Sequence, residues 1–336
     1  MANEHIDQYF DGKRVFVTGA GGFIGSHLVE RLLAAGATVT ALVRYNSKGD
    51  TGFLKGLIED GTERLTVKSG DVRDCDAMEQ AMAGAQVVLH LASIISIPYS
   101  YEHPEEVVDI NVDGTFVALN AARQCGVERF LQISSSEVYG SAQYVPINEI
   151  HPKQPQSVYS ATKISADAIA LSFFHSFGMP VTVCRPFNTF GPRQSDRAVI
   201  PAIIAQALNG DALRLGIVSS RRDFTFVRDT VEGMLAVAAS DAANGREINL
   251  GTGKDVEISE LAKMIGDLLG QNLEITTDQD RVRPETSEVT RLLANNSLAR
   301  ELCGWAPQVS LEQGLKETIE WVRNRRELFH PEKYQI

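Results

Sequence analysis

The 336-residue sequence predicts an α/β fold, a doubly wound parallel sheet followed by a smaller C-terminal substrate domain. Three observations carry the prediction. Short β-branched runs alternate with longer amphipathic ones through the first half, which implies βαβ units. The short runs are almost continuously apolar, as strands covered on both faces are. A glycine-rich turn joins the first strand to the first helix.

"RVFVT" (14–18) is the first strand candidate. "IGSHLVERLLAAG" (24–36) has apolar residues at helical spacing and stops at Gly36, a helix-ending residue. "TVTALV" (38–43) is a second strand, and "RLTVKSGD" (64–71) holds a third. "DAMEQAMAG" (76–84) predicts a helix and "QVVLHLA" (86–92) a fourth strand. A long helix is expected over 104–125, then the strand "RFLQIS" (129–134), a helix over 157–177 and the strand "PVTVCRP" (180–186). Right-handed crossovers wind such strands into one sheet. After residue 187, turns such as "FGPRQ" (190–194) and "GTGK" (251–254) interrupt shorter elements, with helices at 256–270 and 311–325. The expected division is a dinucleotide-binding domain over 1–187, rejoined by segments from about 225–255, and a mainly substrate-covering domain over 188–336.

The composition, 43% apolar and 22% charged, is that of a globular chain. A net charge of −11 argues against nucleic acid as a partner, while a local basic pocket leaves an anionic small substrate open. Cys75, Cys125, Cys184 and Cys303 lie far apart with no CxxC pair, so neither a metal site nor a disulfide framework is expected. The first residues, MANEHIDQYFDGK, are polar and acidic, unlike a signal or transit peptide. No apolar run approaches the ~18 residues of a membrane helix. These features predict a soluble cytoplasmic protein without a membrane partner.

"TGAGGFIGSHL" (18–28) spaces Gly19, Gly22 and Gly25 as GxxGxxG between strand and helix. Glycines permit the tight turn and close backbone approach to a pyrophosphate, and the helix N-terminus offers free N–H groups and a positive dipole end. The reading is a Rossmann dinucleotide site, with Phe23 and Ile24 at the helix start among its contacts. A ribose-binding acid is expected roughly 20 residues on, at the end of the second strand. Arg44 stands there instead, and a guanidinium pairs bidentately with a 2′-phosphate. Arg44 therefore favours NADP over NAD. Asp71 and Val72 follow the third strand, with Asp71 placed to accept from an adenine amino group. Leu91 and Ala92, at the fourth strand's end, complete the candidate cofactor contacts.

"YSATK" sets Tyr159 and Lys163 four apart, on one helical face. A phenol titrates near pH 10, and a nearby ammonium favours the phenolate. Such a pair can take a proton from a sugar hydroxyl as hydride leaves for a nicotinamide.

Together, "GAGGFIGSHL", "HLAS" (90–93), "SSSEVYG" (134–140), "YSATK", "RPFNTFGPRQ" (185–194) and "RRDFTFVRD" (221–229) resemble the extended short-chain dehydrogenase/reductases that act on nucleotide sugars. The resemblance covers nearly the whole chain. It implies a Rossmann domain with a small sugar-nucleotide domain, and a homodimer formed through the helices at 104–125 and 157–177. Members that dehydrate the sugar carry a Thr/Ser–Asp/Ser–Glu triplet where this chain has Ser135, Ser136 and Glu137. That similarity implies a 4,6-dehydratase. Oxidation at C4 acidifies the C5 proton, Glu137 removes it, hydroxide leaves C6, and hydride returns to C6 to give a 4-keto-6-deoxy sugar. Ser135 would bond the C4 oxygen beside Tyr159. The triplet departs from deoxythymidine-diphosphoglucose dehydratases, which have aspartate in place of Ser136 as the expected acid for C6. GDP-mannose dehydratases share the serine–glutamate pair. UDP-glucuronate decarboxylases carry a similar pair but typically keep an acid in place of Arg44. They and C4 epimerases are the alternatives, and a non-catalytic NADP-binding regulator is disfavoured because Tyr159, Lys163 and Glu137 are all present.

By the same resemblance Asn188, Arg222 and Arg283 hold the substrate diphosphate, and Ser93 and Arg193 join the substrate site. The segment 283–321, and "RYN" at Arg44–Asn46, resemble dehydratases of N-acetylhexosamine nucleotides. The expected substrate is a UDP- or GDP-linked N-acetylhexosamine.

Overall fold

The computed structural model describes residues 2–282 and 284–330. A seven-stranded sheet forms its centre: β1 (Arg14–Thr18), β2 (Thr38–Arg44), β3 (Leu65–Gly70), β4 (Val87–His90), β5 (Arg129–Ile133), β6 (Val181–Pro186) and, after three strands placed elsewhere, β10 (Glu247–Leu250). All its pairings are parallel, in the order β10-β6-β5-β4-β1-β2-β3. The chain winds outward from β1 to β3, then crosses to lay β4 on the other side of β1. The carboxyl ends of β1 and β4 therefore open onto the crevice where such sheets bind ligands.

Alternation along each strand sorts the core into two layers. Val15, Val17, Val87, Leu89 and Ile133 face one side, and Phe16, Val88, Phe130, Val181 and Val183 the other. The first layer is covered by α1 (Ala2–Phe10) and α2 (Phe23–Ala34), the second by α4 (Cys75–Met82), after the short α3 (Lys55–Glu59). Next come α5 (Ile97–Glu102), α6 (Pro104–Val108), α7 (Gly114–Gln124) and α8 (Val158–Phe177), of which α7 and α8 add to the second layer. The polar N-terminus thus forms a helix, docked through Ile6 and Phe10.

One expected helix, over 104–125, carries an irregularity within it. Between α6 and α7 the residues Asp109–Asp113 form a π-helical turn. The extra residue turns the Asn111 side chain inward, where its amide bonds both Ile94 N and Ile94 O. By contrast, α8 runs as one helix, started by a Ser157–Ser160 capping box and stopped by Gly178 at φ +65°.

In the second half, β9 (Arg221–Phe226) pairs with β7 (Asn188–Phe190), β11 (Asp255–Glu257) and β13 (Arg291–Leu292), while β8 (Ala212–Leu215) pairs with β12 (Glu274–Thr277). Helices α9 (Val199–Ala207), α11 (Ile258–Leu269) and α13 (Leu311–Arg323) pack among them. Two elements of this half lie with the first sheet: α10 (Val227–Ala239), which packs on β5 and β6, and β10, which pairs with β6. The helix α12 (Ser297–Cys303) packs beside them. Among the described residues no helix is long and apolar enough to cross a membrane, and no grouping of His, Cys, Asp and Glu is arranged to hold a metal ion.

Candidate active site

The glycine turn is built for a ligand. Gly19 sits at φ +66°, and a Cβ there would lie 2.9 Å from Ala92 N. A Cβ on Gly25 would lie 2.2 Å from Gly19 O, so no side chain fits between turn and helix. Gly22 caps α2 without a side-chain acceptor, leaving the first N–H groups of the helix, at Phe23 and Ile24, to a bound anion. A dinucleotide pyrophosphate fits this cradle.

The floor is set by Thr18 at the end of β1. Its hydroxyl accepts from Leu91 N and Ala92 N, both at 3.1 Å, and so donates its own hydrogen to His90 Nδ1 at 2.9 Å. His90 then carries its proton on Nε2, facing Thr115 Oγ1 at 3.4 Å, whose hydroxyl donates to Asn111 O. Burial, aided by the charge of Lys163, pushes His90 down to about 3 and keeps it neutral. The Asn111 amide accepts from Ser93 Oγ at 2.9 Å and donates to Thr162 Oγ1 at 3.0 Å, tying the loop after β4 to α8.

Tyr159 and Lys163 share the inner face of α8, and both are buried. The Lys163 ammonium donates to Ile133 O at 2.6 Å. Burial brings Lys163 down to about 8, partly opposed by the carboxylate of Asp167 one turn on. The expected lowering of the Tyr159 phenol by Lys163 is not what this arrangement gives. Burial dominates and pushes the phenol well above its ordinary value, while a hydrogen bond with Ser135 acts in the opposite sense. Ser135 lies two residues past the end of β5 and caps the turn Ser136–Tyr139 by accepting from Glu137 N at 3.2 Å. Glu137 is half-buried, and its carboxylate is near enough to Tyr159 to oppose ionisation of the phenol. Ser136 is buried beside it. Ser135, Glu137, Tyr159 and Lys163 therefore converge at the carboxyl end of β5.

Beneath them lies an ionic layer absent from the sequence reading. Asp167 Oδ2 accepts from Ser134 Oγ at 2.7 Å and from Arg185 Nη2 at 2.8 Å, with both charged side chains fully buried. Arg185 also pairs with Glu247 of β10 and donates to Tyr139 Oη. The spacing of Asp167, four residues after Lys163, was the available signal.

The remaining candidates are dispersed. Asn188 opens β7 and carries a buried amide oxygen without a hydrogen-bond partner among the described residues, a group suited to a ligand. Arg222 is paired with Glu288 at 3.4 Å. Arg193, expected on the substrate, reaches α2 instead, donating to Ser26 Oγ at 3.1 Å and Glu30 Oε1 at 2.5 Å. Asp71, expected at the adenine, is held below the usual carboxylate range, at about 2, chiefly by hydrogen bonds from Arg73. Val72 is buried against Gly114. Arg44 lies exposed at the end of β2, 3.5 Å from Glu106. Arg283 lies outside the described residues.

The family model for GDP-mannose 4,6-dehydratase matches residues 16–318. A dTDP-glucose 4,6-dehydratase of Streptomyces griseus is 34% identical over 323 residues, covering 94% of this chain and 96% of that protein. A UDP-N-acetyl-α-D-glucosaminuronate decarboxylase of Bacillus cytotoxicus is 33% identical, covering 93% and 98%. Among solved structures, the dTDP-glucose 4,6-dehydratase DesIV of Streptomyces venezuelae, with NAD bound, superposes with a TM-score of 0.86 at 29% identity, over 95% of this chain and 100% of that one.

Proposed function

We propose, for a chain that belongs to the extended short-chain dehydrogenase/reductase family of sugar-nucleotide dehydratases, epimerases and decarboxylases, that the reaction is 4,6-dehydration of a UDP- or GDP-linked N-acetylhexosamine. The observation that carries this reading is the half-buried Glu137, set at the carboxyl end of β5 within electrostatic reach of Tyr159. A carboxylate there is the base that elimination requires and simple C4 epimerisation does not.

The nicotinamide dinucleotide supplies a hydride acceptor at C4 and a hydride donor at C6. Tyr159 takes the proton of the C4 hydroxyl, with Ser135 bonding the same oxygen and Lys163 providing positive charge beneath. Glu137 removes the proton from C5, acidified by the adjacent ketone. The same carboxyl hands that proton to the departing C6 hydroxyl, which leaves as water, with the buried Ser136 alongside. As C6 is reduced, Glu137, recharged from solvent, delivers a proton to C5. Tyr159 releases its proton to solvent because the C4 oxygen stays a ketone, so each turnover regenerates the starting enzyme. The glycine cradle at Gly19, Gly22 and Gly25 holds the pyrophosphate, and Asn188, Arg222 and Arg283 hold the substrate diphosphate. Arg44 equips the site for the 2′-phosphate of NADP, and its pairing with Glu106 leaves NAD admissible.

The test is incubation with UDP- and GDP-N-acetylglucosamine and added NAD or NADP in heavy water, read by mass spectrometry and NMR. A product lighter by one water, with deuterium at C5, is expected. A C4-inverted sugar of unchanged constitution identifies an epimerase. With a nucleotide hexuronate, release of carbon dioxide identifies a decarboxylase. Glu137→Gln should keep dinucleotide affinity and lose water elimination by at least a hundredfold. Elimination at the normal rate in that variant removes Glu137 from the mechanism.

A further inference from the structure

Arg44 is the reason to expect NADP, because it occupies the place of the acid that bonds the ribose of NAD. The fold returns an acid to that place from elsewhere in the chain. Helix α6 brings Glu106 against Arg44, 62 residues away in sequence, with Oε1 at 3.5 Å from the guanidinium. The other oxygen, Oε2, accepts from Tyr99 Oη at 2.5 Å, and the Tyr99 ring in turn lies 4.4 Å from that of His103. One oxygen is thus anchored while the other, among the described residues, has the long contact to Arg44. The hydrogen bond from Tyr99 holds the Glu106 carboxyl below its usual range, so it is charged at neutral pH.

Arg44, Ser93, Ser96, Tyr99, Glu106 and Arg197 line a cavity of about 270 Å³ next to the loop that follows β4. Asp71, another acid at this end of the sheet, is not free to serve. Arg73 engages both of its oxygens at 2.9 and 2.7 Å. Arg73 also lies 3.9 Å from Asp109.

We propose that Glu106, positioned by Tyr99, is the residue that sets the choice between NAD and NADP, supplying in space the ribose-facing carboxylate that the end of β2 lacks in sequence. The inference rests on the reading that a nicotinamide dinucleotide fills the cleft. With NAD bound, the free Oε1 accepts a hydrogen bond from the ribose 2′-hydroxyl. With NADP, the 2′-phosphate must displace Glu106 from Arg44 and lie against a fixed like charge.

The test is isothermal calorimetry of NAD⁺ and NADP⁺ with wild-type protein and with Glu106→Gln, which keeps the size of the side chain and a bond to Tyr99. The expected result is NADP⁺ binding tighter by about tenfold and NAD⁺ binding weaker by about threefold in the variant. Tyr99→Phe should move the ratio in the same direction by less, because it frees the carboxylate without removing it. The NADP⁺ gain should shrink at high ionic strength. If both dinucleotides bind but the ratio in Glu106→Gln stays within about twofold of wild type, Glu106 plays no selecting role. If wild-type protein binds neither, the dinucleotide reading itself fails and the inference falls with it.

Discussion

A lysine that titrates near neutrality makes a rate sensitive to pH. Lys163 is pushed down to about 8 by burial. Its ammonium is intact below that value and lost as pH rises through it. The phenol of Tyr159 is pushed up by its own burial, so it depends on a nearby positive charge to release a proton. The rate should therefore hold on the acid side of about 8 and fall above it, and a kcat/KM profile measured from neutral to alkaline pH checks this. Lys163→Met should lower the rate about a hundredfold or more at neutral pH and abolish that alkaline limb. A limb that survives in the variant belongs to another group. Tyr159 and Lys163 were legible because a four-residue spacing on a helix fixes a shared face. Asp167, on the same face one turn further, was not, because nothing local shows that Arg185 from another strand will meet it.

Elements were legible where their pattern is local. β1 occupies the span its β-branched run implies, and α8 begins at its serine cap and ends at glycine. The helix over 104–125 was legible but its π-helical turn was not, because the turn follows from a distant demand. Asn111 must reach Ile94 and Thr162, and one inserted residue turns its amide towards them. Asn111→Ala leaves the N–H and C=O of Ile94 without these partners. The expected cost is about 2 kcal/mol of stability, read from urea unfolding at constant m-value. Because Ser93 also loses its acceptor, the loop after β4 should loosen, and hydrogen exchange at Ile94 should quicken relative to the core of β4. Unchanged exchange there would mean that Asn111 does not hold the loop. The N-terminal helix was unread for a related reason, since its apolar anchors, Ile6 and Phe10 with the partly buried Tyr9 beside them, depend on surfaces supplied much later in the chain.

At the scale of the molecule, the doubly wound parallel sheet was implied by right-handed crossovers, whereas the order of its strands and the pairing that places β10 beside β6 depend on contacts between halves. Arg185 reaches Glu247 of β10 as well as Asp167 of α8, and Lys153 meets Glu247 at 2.5 Å. Neighbouring helices α6, α7 and α8 leave a second requirement unmet within one chain. Val108 and Phe116 on α6 and α7 and Phe177 on α8 are exposed, the two phenylalanines by more than half. Beside them the outer face of α8 presents Ser165, Ala168 and Ser172, side chains short enough for another helix to approach closely. A two-fold pairing of these helices would bring each patch against its own copy, the closed arrangement favoured by homodimers. Light scattering on the eluting protein should give about twice the chain mass of 36.7 kDa. Phe116→Glu changes both copies at once, removing about 2 kcal/mol of burial from each and placing two carboxylates near the axis. Dimer dissociation should then become at least a hundredfold easier. A monomeric wild type, or a variant that dimerises as tightly as wild type, would place the subunit contact on another face.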